Sequence, residues 1–251
     1  MADKDSFFIG WDRPPEALRP FLFAAAAGVV GIFMLVGYLA AATMSDPGDG
    51  AFRFDWGRQT LTGVMQAKPY PMVHVLDSAR FDTGHTLLLS GGGKRGVQGR
   101  AESLDGAVVQ ISGVALKRGD LDMIQLRGGR NGLAAAEGDG AVPAPVDLGR
   151  WRLTGEICDG KCYAGAMRPG TGLAHKACAN LCLVGGVPPV FVITDTVDGE
   201  EFLVLTSEEG GNITDAILSH TALLVEIEGR VERHGAVLIF RIDPATIRRA
   251  S

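Results

Sequence analysis

The sequence predicts a mostly β protein, with one N-terminal transmembrane helix followed by two small β-barrels, the second carrying a Cys-rich helical insertion. Three observations predict this class. One uncharged apolar run lies near the N-terminus, glycine and proline punctuate many short alternating segments, and the C-terminal two thirds contain an internal repeat.

From Phe21 to Met44 the chain carries no ionisable group except Tyr38. At about 1.5 Å per helical residue this run is long enough to cross a hydrocarbon core of about 30 Å. The polar lead before it and the length of the run both fit an uncleaved anchor better than a signal peptide. Residues 1–20 therefore read as a cytoplasmic tail and residues 21–44 as the anchor. The bulk of the chain is expected on the periplasmic side of the inner membrane, as a single-pass protein. Lys4, Arg13 and Arg19 before the helix nearly balance Arg53, Arg58 and Lys68 after it. The orientation rests instead on the tendency of long segments to translocate regardless of charge. Ala24 and Gly28, then Ala27 and Gly31, are spaced four apart. Such a small-residue face lets a second helix approach closely, so an integral membrane protein is the expected partner.

Beyond the anchor, hydrophobic residues at 46% against 21% charged are enough for a packed core, which excludes disorder there. A net charge of −5 without dense Lys or Arg excludes a phosphate-tracking surface, so no nucleic-acid partner is expected. Thirty-five glycines and twelve prolines suit many short strands joined by tight turns.

The segments Ala107 to Leu126 and Leu223 to Ile242 share one pattern: alternating strand, Gly, strand, basic residue, Gly, second strand. Gly113 matches Gly229 and Gly119 matches Gly235, while upstream Leu61-Thr62-Gly63 matches Leu153-Thr154-Gly155. The chain reads as a tandem duplication. Val109, Ile111 and Val114, like Val225, Ile227 and Val231, sit where one strand face is buried, and glycine in mid-strand marks a bulge or bend. In the second copy a hairpin is legible as Val190 to Thr194, a turn through Asp198-Gly199, and Phe202 to Thr206. A short helix, Thr214 to Ser219, leads into the strand at Leu223.

This order, with a helix between third and fourth strands, resembles the OB-fold. The resemblance implies a first OB-like barrel over 54–128 and a second over 150–249. The small-residue, Pro-rich stretch 129–149 reads as the linker.

Gly63 and Gly113 are 50 residues apart but Gly155 and Gly229 are 74 apart. The excess falls within residues 156–189, which hold all four cysteines, Cys158, Cys162, Cys178 and Cys182. Leu173 to Val184 has helical character, stopped by Gly185-Gly186 and Pro188-Pro189. On such a helix His175, Cys178 and Cys182 share one face. Cys158 and Cys162, at the end of the preceding strand, can face it. Three chemistries compete for this cluster. Two disulfides among the four cysteines would staple the insertion. A single metal ion, zinc or copper, would take Cys158, Cys162, His175, Cys178 and Cys182 as its ligand pool. Thiol redox chemistry is the third, although no C-x-x-C is present.

A single-helix anchor followed by OB-like barrels resembles, in layout, the periplasmic haem chaperone of cytochrome c maturation. That family's haem site is His-x-x-x-Tyr. Here the residues four after each histidine are Ser78, Leu89, Ala179, Leu224 and Leu238, so the haem site is not carried over. The segment GEICDGKC with H-x-x-C and a GG-x-PP stop also looks like a domain of uncharacterised bacterial membrane proteins.

Ser90 to Gly96, SGGGKRG, lacks phosphate-loop spacing and reads as a hairpin loop. Asp195, Asp198, Glu200 and Glu201 read as a solvated acidic turn, Asn212-Ile213-Thr214 as a chance sequon, and His74 and His85 as strand residues near Tyr70. No catalytic constellation stands out, so an enzyme is not indicated. The expected function is that of a membrane-anchored accessory or assembly subunit of a larger membrane complex, respiratory or electron-transferring, which binds a partner through its exported barrels. The alternative is a metal-binding or redox protein using the Cys/His cluster.

Overall fold

The computed structural model describes residues 14–43 and 48–250, without the side chains of 41–43. The predicted tail residues 1–13, including Lys4 and Arg13, and Met44 at the end of the predicted anchor lie outside them. The chain divides into two compact units, Met1–Asp46 and Pro47–Ser251.

In the first unit, a single 3-10 turn at Glu16–Leu18 leads into α1, Arg19–Thr43. Pro20 falls in the first turn, where no intrahelical N–H is required, and nothing downstream interrupts the helix. The helix is long and apolar enough to cross a membrane. Ala24, Ala27, Gly28 and Gly31 are all exposed.

The second unit is mostly β. Its first sheet contains β1 (Ala51–Phe52), β2 (Gln59–Gln66), β3 (Met72–Ser78), β4 (Thr86–Ser90), β5 (Val108–Arg118), β6 (Leu121–Leu126) and β7 (Leu133–Ala135), with the short α2 (Gln98–Ala101) between β4 and β5. The order is β1-β5-β2-β3-β4-β6, and β6 pairs back on β5, closing a five-stranded barrel. The second sheet contains β8 (Val146–Asp159), β9 (Pro189–Val197), β10 (Glu200–Ser207), β11 (Leu224–His234), β12 (Val237–Ile242) and β13 (Arg248–Arg249). Here α3 (Lys176–Val184) lies between β8 and β9, and α4 (Thr214–Ile217) between β10 and β11. Its order is β12-β10-β9-β8-β11-β13, with β12 also pairing β11. The segment 129–149 is not wholly a linker, because β7 pairs with β5 and β8 starts at Val146.

The repeat read from sequence extends to register. Leu61 faces Ile111 and Gly113 faces Gln59, as Leu153 faces Ile227 and Gly229 faces Trp151. Leu88 pairs in parallel with Met123, as Val204 pairs with Ile239. Gly63 pairs with Val75, twelve residues on, whereas Gly155 pairs with Ile193, thirty-eight on. The length difference between copies is thus confined to the β8–β9 connection, where the cysteines lie.

The matched glycines sit where strands approach too closely for a side chain. A Cβ on Gly113 would lie 2.3 Å from the Gln125 carbonyl oxygen, and one on Gly229 would lie 2.3 Å from that of Arg241. The corresponding distances are 2.4 Å from Gly63 to the His74 carbonyl oxygen and 2.3 Å from Gly155 to that of Val192. At the hairpin turn, Asp198 and Gly199 both take positive φ, 52° and 86°, as a tight two-residue connection requires.

Each sheet encloses its own apolar core, and a third cluster joins them. Leu87 and Leu89 point into the first core, while Leu203, Leu205, Leu238 and Phe240 point into the second. The intervening Leu88, Val204, Val237 and Ile239 point outward and pack together with Met72, Leu116, Met123 and Val190. Several of these are equivalent positions of the two copies, so the copies meet through the outer faces of the same strands. Strands β4, β6, β10 and β12 are therefore buried on both faces, which is why β4, β10 and β12 contain continuous apolar runs, Leu87–Leu89, Phe202–Leu205 and Val237–Phe240, rather than alternation.

A buried polar chain also crosses this junction. Ala236 N–H donates to Thr86 Oγ1 (2.9 Å), leaving the Thr86 hydroxyl to donate to His74 Nδ1 (3.0 Å). His74 Nε2–H donates to Gln66 Oε1 (2.8 Å), and the Gln66 amide donates to His234 Nδ1 (2.9 Å). His234 Nε2–H then donates to Glu232 Oε2 (3.1 Å), which pairs with Arg241. These donor directions follow from satisfying every link with both imidazoles neutral. Gly235, at φ 60°, permits the approach, because a Cβ there would lie 2.4 Å from Thr86 Oγ1.

Two outcomes follow. Gly113→Ala and Gly229→Ala each place a methyl group against backbone, so chemical denaturation should show a loss of about 1–3 kcal/mol; an unchanged midpoint would mean the strands can part there. Burial, with His234 nearby, pushes the His74 pKa from 6.5 down to about 4. Folded His74 thus binds fewer protons than unfolded His74 in this window. Its contribution to stability is full above about pH 6.5 and is lost as pH falls towards about 4. The melting temperature should drop across that window, and His74→Gln should flatten the drop; superimposable profiles would remove His74 from the linkage.

Candidate metal centre

The β8–β9 connection begins where β8 turns at Asp159 and Gly160. Gly160 N–H donates to the Pro188 carbonyl (2.9 Å), so the segment leaves and returns at one point. Asp159 Oδ1 accepts from the Cys162 backbone N–H (2.8 Å), capping the turn that carries Cys162. The predicted helix starts as one 3-10 turn, Leu173–His175, and continues as α3. Its end is stopped at Gly185-Gly186, with Gly186 at φ 88°.

This local structure brings three of the predicted sulfurs together. Cys162 Sγ lies 3.9 Å from Cys178 Sγ and 3.8 Å from Cys182 Sγ. All three sulfurs lie within 4.8 Å of one another and form a group able to hold a metal ion. Asp159, Cys162 and His175 form a second such group, so Cys162 belongs to both. His175 Nε2 is 3.1 Å from Asp159 Oδ2, and both residues are buried. Cys158 does not join them. Its side chain packs in the cluster between the sheets and contacts Glu156 Oε1 at 3.3 Å. Burial, reinforced by the Glu156 charge, holds its thiol well above the ordinary range. All four cysteines are free thiols, so the disulfide-stapled arrangement is not the one seen.

Two lysines absent from the predicted site complete it. Lys94 belongs to the Ser90–Gly96 loop, which is not a free hairpin but packs on the end of α3. Gly96 N–H donates to the Gly185 carbonyl (2.8 Å), and a Cβ on Gly185 would lie 1.8 Å from the Lys94 carbonyl oxygen. This places Lys94 Nζ 2.6 Å from Cys178 Sγ and 3.9 Å from Cys182 Sγ. The sulfur contact raises the Lys94 pKa. Lys161, only 3% exposed, donates to the Gly91 and Gly93 carbonyls at 2.7 and 2.6 Å. Burial lowers its pKa, and the charges that oppose this are those of Cys182, Cys162 and Asp159. A buried lysine without a carboxylate ion pair is rare, and here two backbone carbonyls accept from its ammonium.

The paired sulfurs divide the proton between them. Cys162 is held high by its contact with Cys182 and by burial, whereas Cys182 is lowered chiefly by accepting from Cys162. The cluster is thus three soft sulfur donors, one with a lowered pKa, with two cations beside it and an Asp–His pair behind. Helical spacing pointed to His175, Cys178 and Cys182, and the turn after the preceding strand to Cys162. Asp159 and Lys161 stood inside the same motif, where charged residues in a segment too short to leave the fold were the available signal. Lys94 carried none, since its position depends on the other repeat.

Among the remaining predicted features, Asp198 and Glu200 pair with Arg233 at 2.6 and 3.9 Å, so the acidic turn is partly neutralised. His85 faces Asp122 at 3.0 Å.

Asp159→Ala removes the acceptor for both Cys162 N–H and His175, and Lys161→Met leaves the Gly91 and Gly93 carbonyls without their donor. Each should lower stability by about 1–3 kcal/mol in equilibrium denaturation, while wild-type stability in both variants would mean water replaces the lost partner. Comparison with protein-family models, curated proteins and solved structures finds no match, and the reading of the site rests on its geometry.

Proposed function

We propose that this chain is a membrane-anchored, periplasmic accessory protein built from two OB-like barrels, which holds one thiophilic metal ion, zinc or copper(I), in the insertion of the second. The observation that carries this reading is the sulfur spacing. A tetrahedral ion with metal–sulfur distances of about 2.3 Å sets its sulfurs about 3.8 Å apart, and the two measured separations from Cys162 are 3.8 and 3.9 Å. Cys162, Cys178 and Cys182 supply three corners. For the fourth we assign His175, which forms the adjoining group with Asp159 and Cys162 and meets Asp159 in the carboxylate–histidine arrangement that commonly orients a metal-bound ring.

Metal entry displaces the Lys94 ammonium from Cys178, because two cations cannot share that sulfur. Lys161, held by carbonyls, stays and offsets excess thiolate charge. The accessory role is supported by the exposed Ala24/Gly28 and Ala27/Gly31 face of α1, where open space lies beside Gly28 and Gly31 for a partner helix.

The full chain, purified in detergent without chelator, should retain about one equivalent of zinc or copper per chain. Cys162→Ser, Cys178→Ser or Cys182→Ser should abolish retention, and Cys158→Ser should leave it intact. Metal-free protein that also takes up no added zinc or copper(I) would overturn the reading, as would equal loss on replacing Cys158.

A further inference from the structure

Within the sulfur triad only Cys178 is partly open to solvent, while Cys162 and Cys182 are buried. Cys178 lies in the first turn of the nine-residue α3. The exposed Lys94 places its ammonium 2.6 Å from the same sulfur. Cys162 Sγ lies 3.9 Å from Cys178 Sγ and 3.8 Å from Cys182 Sγ, the three sulfurs forming a triangle within 4.8 Å of one another. An accessible, cation-supported sulfur backed by a second sulfur within side-chain reach is the arrangement of a dithiol that exchanges with disulfides, even without C-x-x-C spacing.

We propose that Cys178 is the attacking thiol and Cys162 the resolving thiol of a dithiol pair that reduces accessible peptide or small-molecule disulfides. The Cys178 thiolate attacks one sulfur of the substrate disulfide, forming a mixed disulfide and releasing the other sulfur as a thiolate. Cys162 then attacks the Cys178 sulfur and expels the second substrate thiolate, leaving a Cys162–Cys178 disulfide. Cys182 is placed to take the Cys162 proton and pass it to the departing group. The two electrons come from the Cys162 and Cys178 sulfurs; the second substrate sulfur leaves with the Cys162 proton, and the first, released as a thiolate, takes its proton from solvent. This activity goes beyond metal binding and does not depend on it. An ion and the disulfide are alternative states of the same sulfurs, so oxidation would also eject the ion.

The test uses the reduced full chain in detergent, stripped of metal, mixed with oxidised glutathione, quenched by alkylation and mapped by peptide mass. The wild type should accumulate a Cys162–Cys178 linkage and release two glutathione thiols per disulfide formed, with Cys158 unreacted. Cys162→Ser should stall with glutathione on Cys178, and Cys178→Ser should form no Cys162 linkage. A first adduct on Cys158, Cys162 or Cys182, or a Cys162→Ser chain that still releases both glutathione thiols, would overturn the assignment. Because no metal is present, failure here leaves the metal reading standing, and failure of metal retention leaves this result standing.

Discussion

The constraint on which the rest of the structure depends is the apolar face shared by the two sheets. Leu88 and Met123 from one copy meet Val204, Val237 and Ile239 from the other, all outward-pointing residues of strands whose alternate side chains already fill a core. A strand buried on both sides cannot slip by one residue without exchanging its two sets of neighbours. The pairings Leu88 with Met123 and Val204 with Ile239 are held in register by this requirement as much as by the ladder hydrogen bonds.

Once the sheets are joined, two connections of opposite parentage are brought to their functional places. The β11–β12 turn sets Gly235 and Ala236 against Thr86 and His74, threading the polar chain through the junction. The loop after β4, in turn, reaches the Cys-rich segment of the second sheet, where Gly91 and Gly93 carbonyls accept from Lys161 and Lys94 meets Cys178. The candidate centre is therefore composite: its sulfurs come from one repeat and one of its cations from the other. Neither repeat alone contains the arrangement, which gives a physical reason for the two copies to stay in one compact unit.

Much of the fold was legible because duplication repeats its signals. The matched glycines, Gly63 with Gly155 and Gly113 with Gly229, were visible as a pattern, and the same clash with a neighbouring carbonyl explains all four. The hairpin at Asp198-Gly199 was legible from turn chemistry alone. What periodicity does not carry is the partner of an outward face. The run Leu87-Leu88-Leu89 says that both faces are buried but not against what. For the site, helical spacing put His175, Cys178 and Cys182 on one face, and the end of the preceding strand offered Cys158 and Cys162; the structure gathers Cys178 and Cys182 with Cys162 and sets His175 with Asp159 and Cys162. Alternation along β8 turns Cys158 toward the junction between sheets, while Cys162 lies beyond the Asp159 cap and faces α3. Lys94 was illegible because a glycine-rich loop has no pattern, and its place is set by residues far away in the chain.

The central claim is that Cys162, Cys178 and Cys182 form one site for a thiophilic ion. The most direct measurement is X-ray absorption at the metal edge of the full chain loaded with zinc or copper(I). The account predicts a first shell of three sulfurs at about 2.3 Å, and no sulfur shell in Cys178→Ser, which does not hold the ion. A shell of oxygen and nitrogen alone, or one unchanged by that substitution, would contradict it.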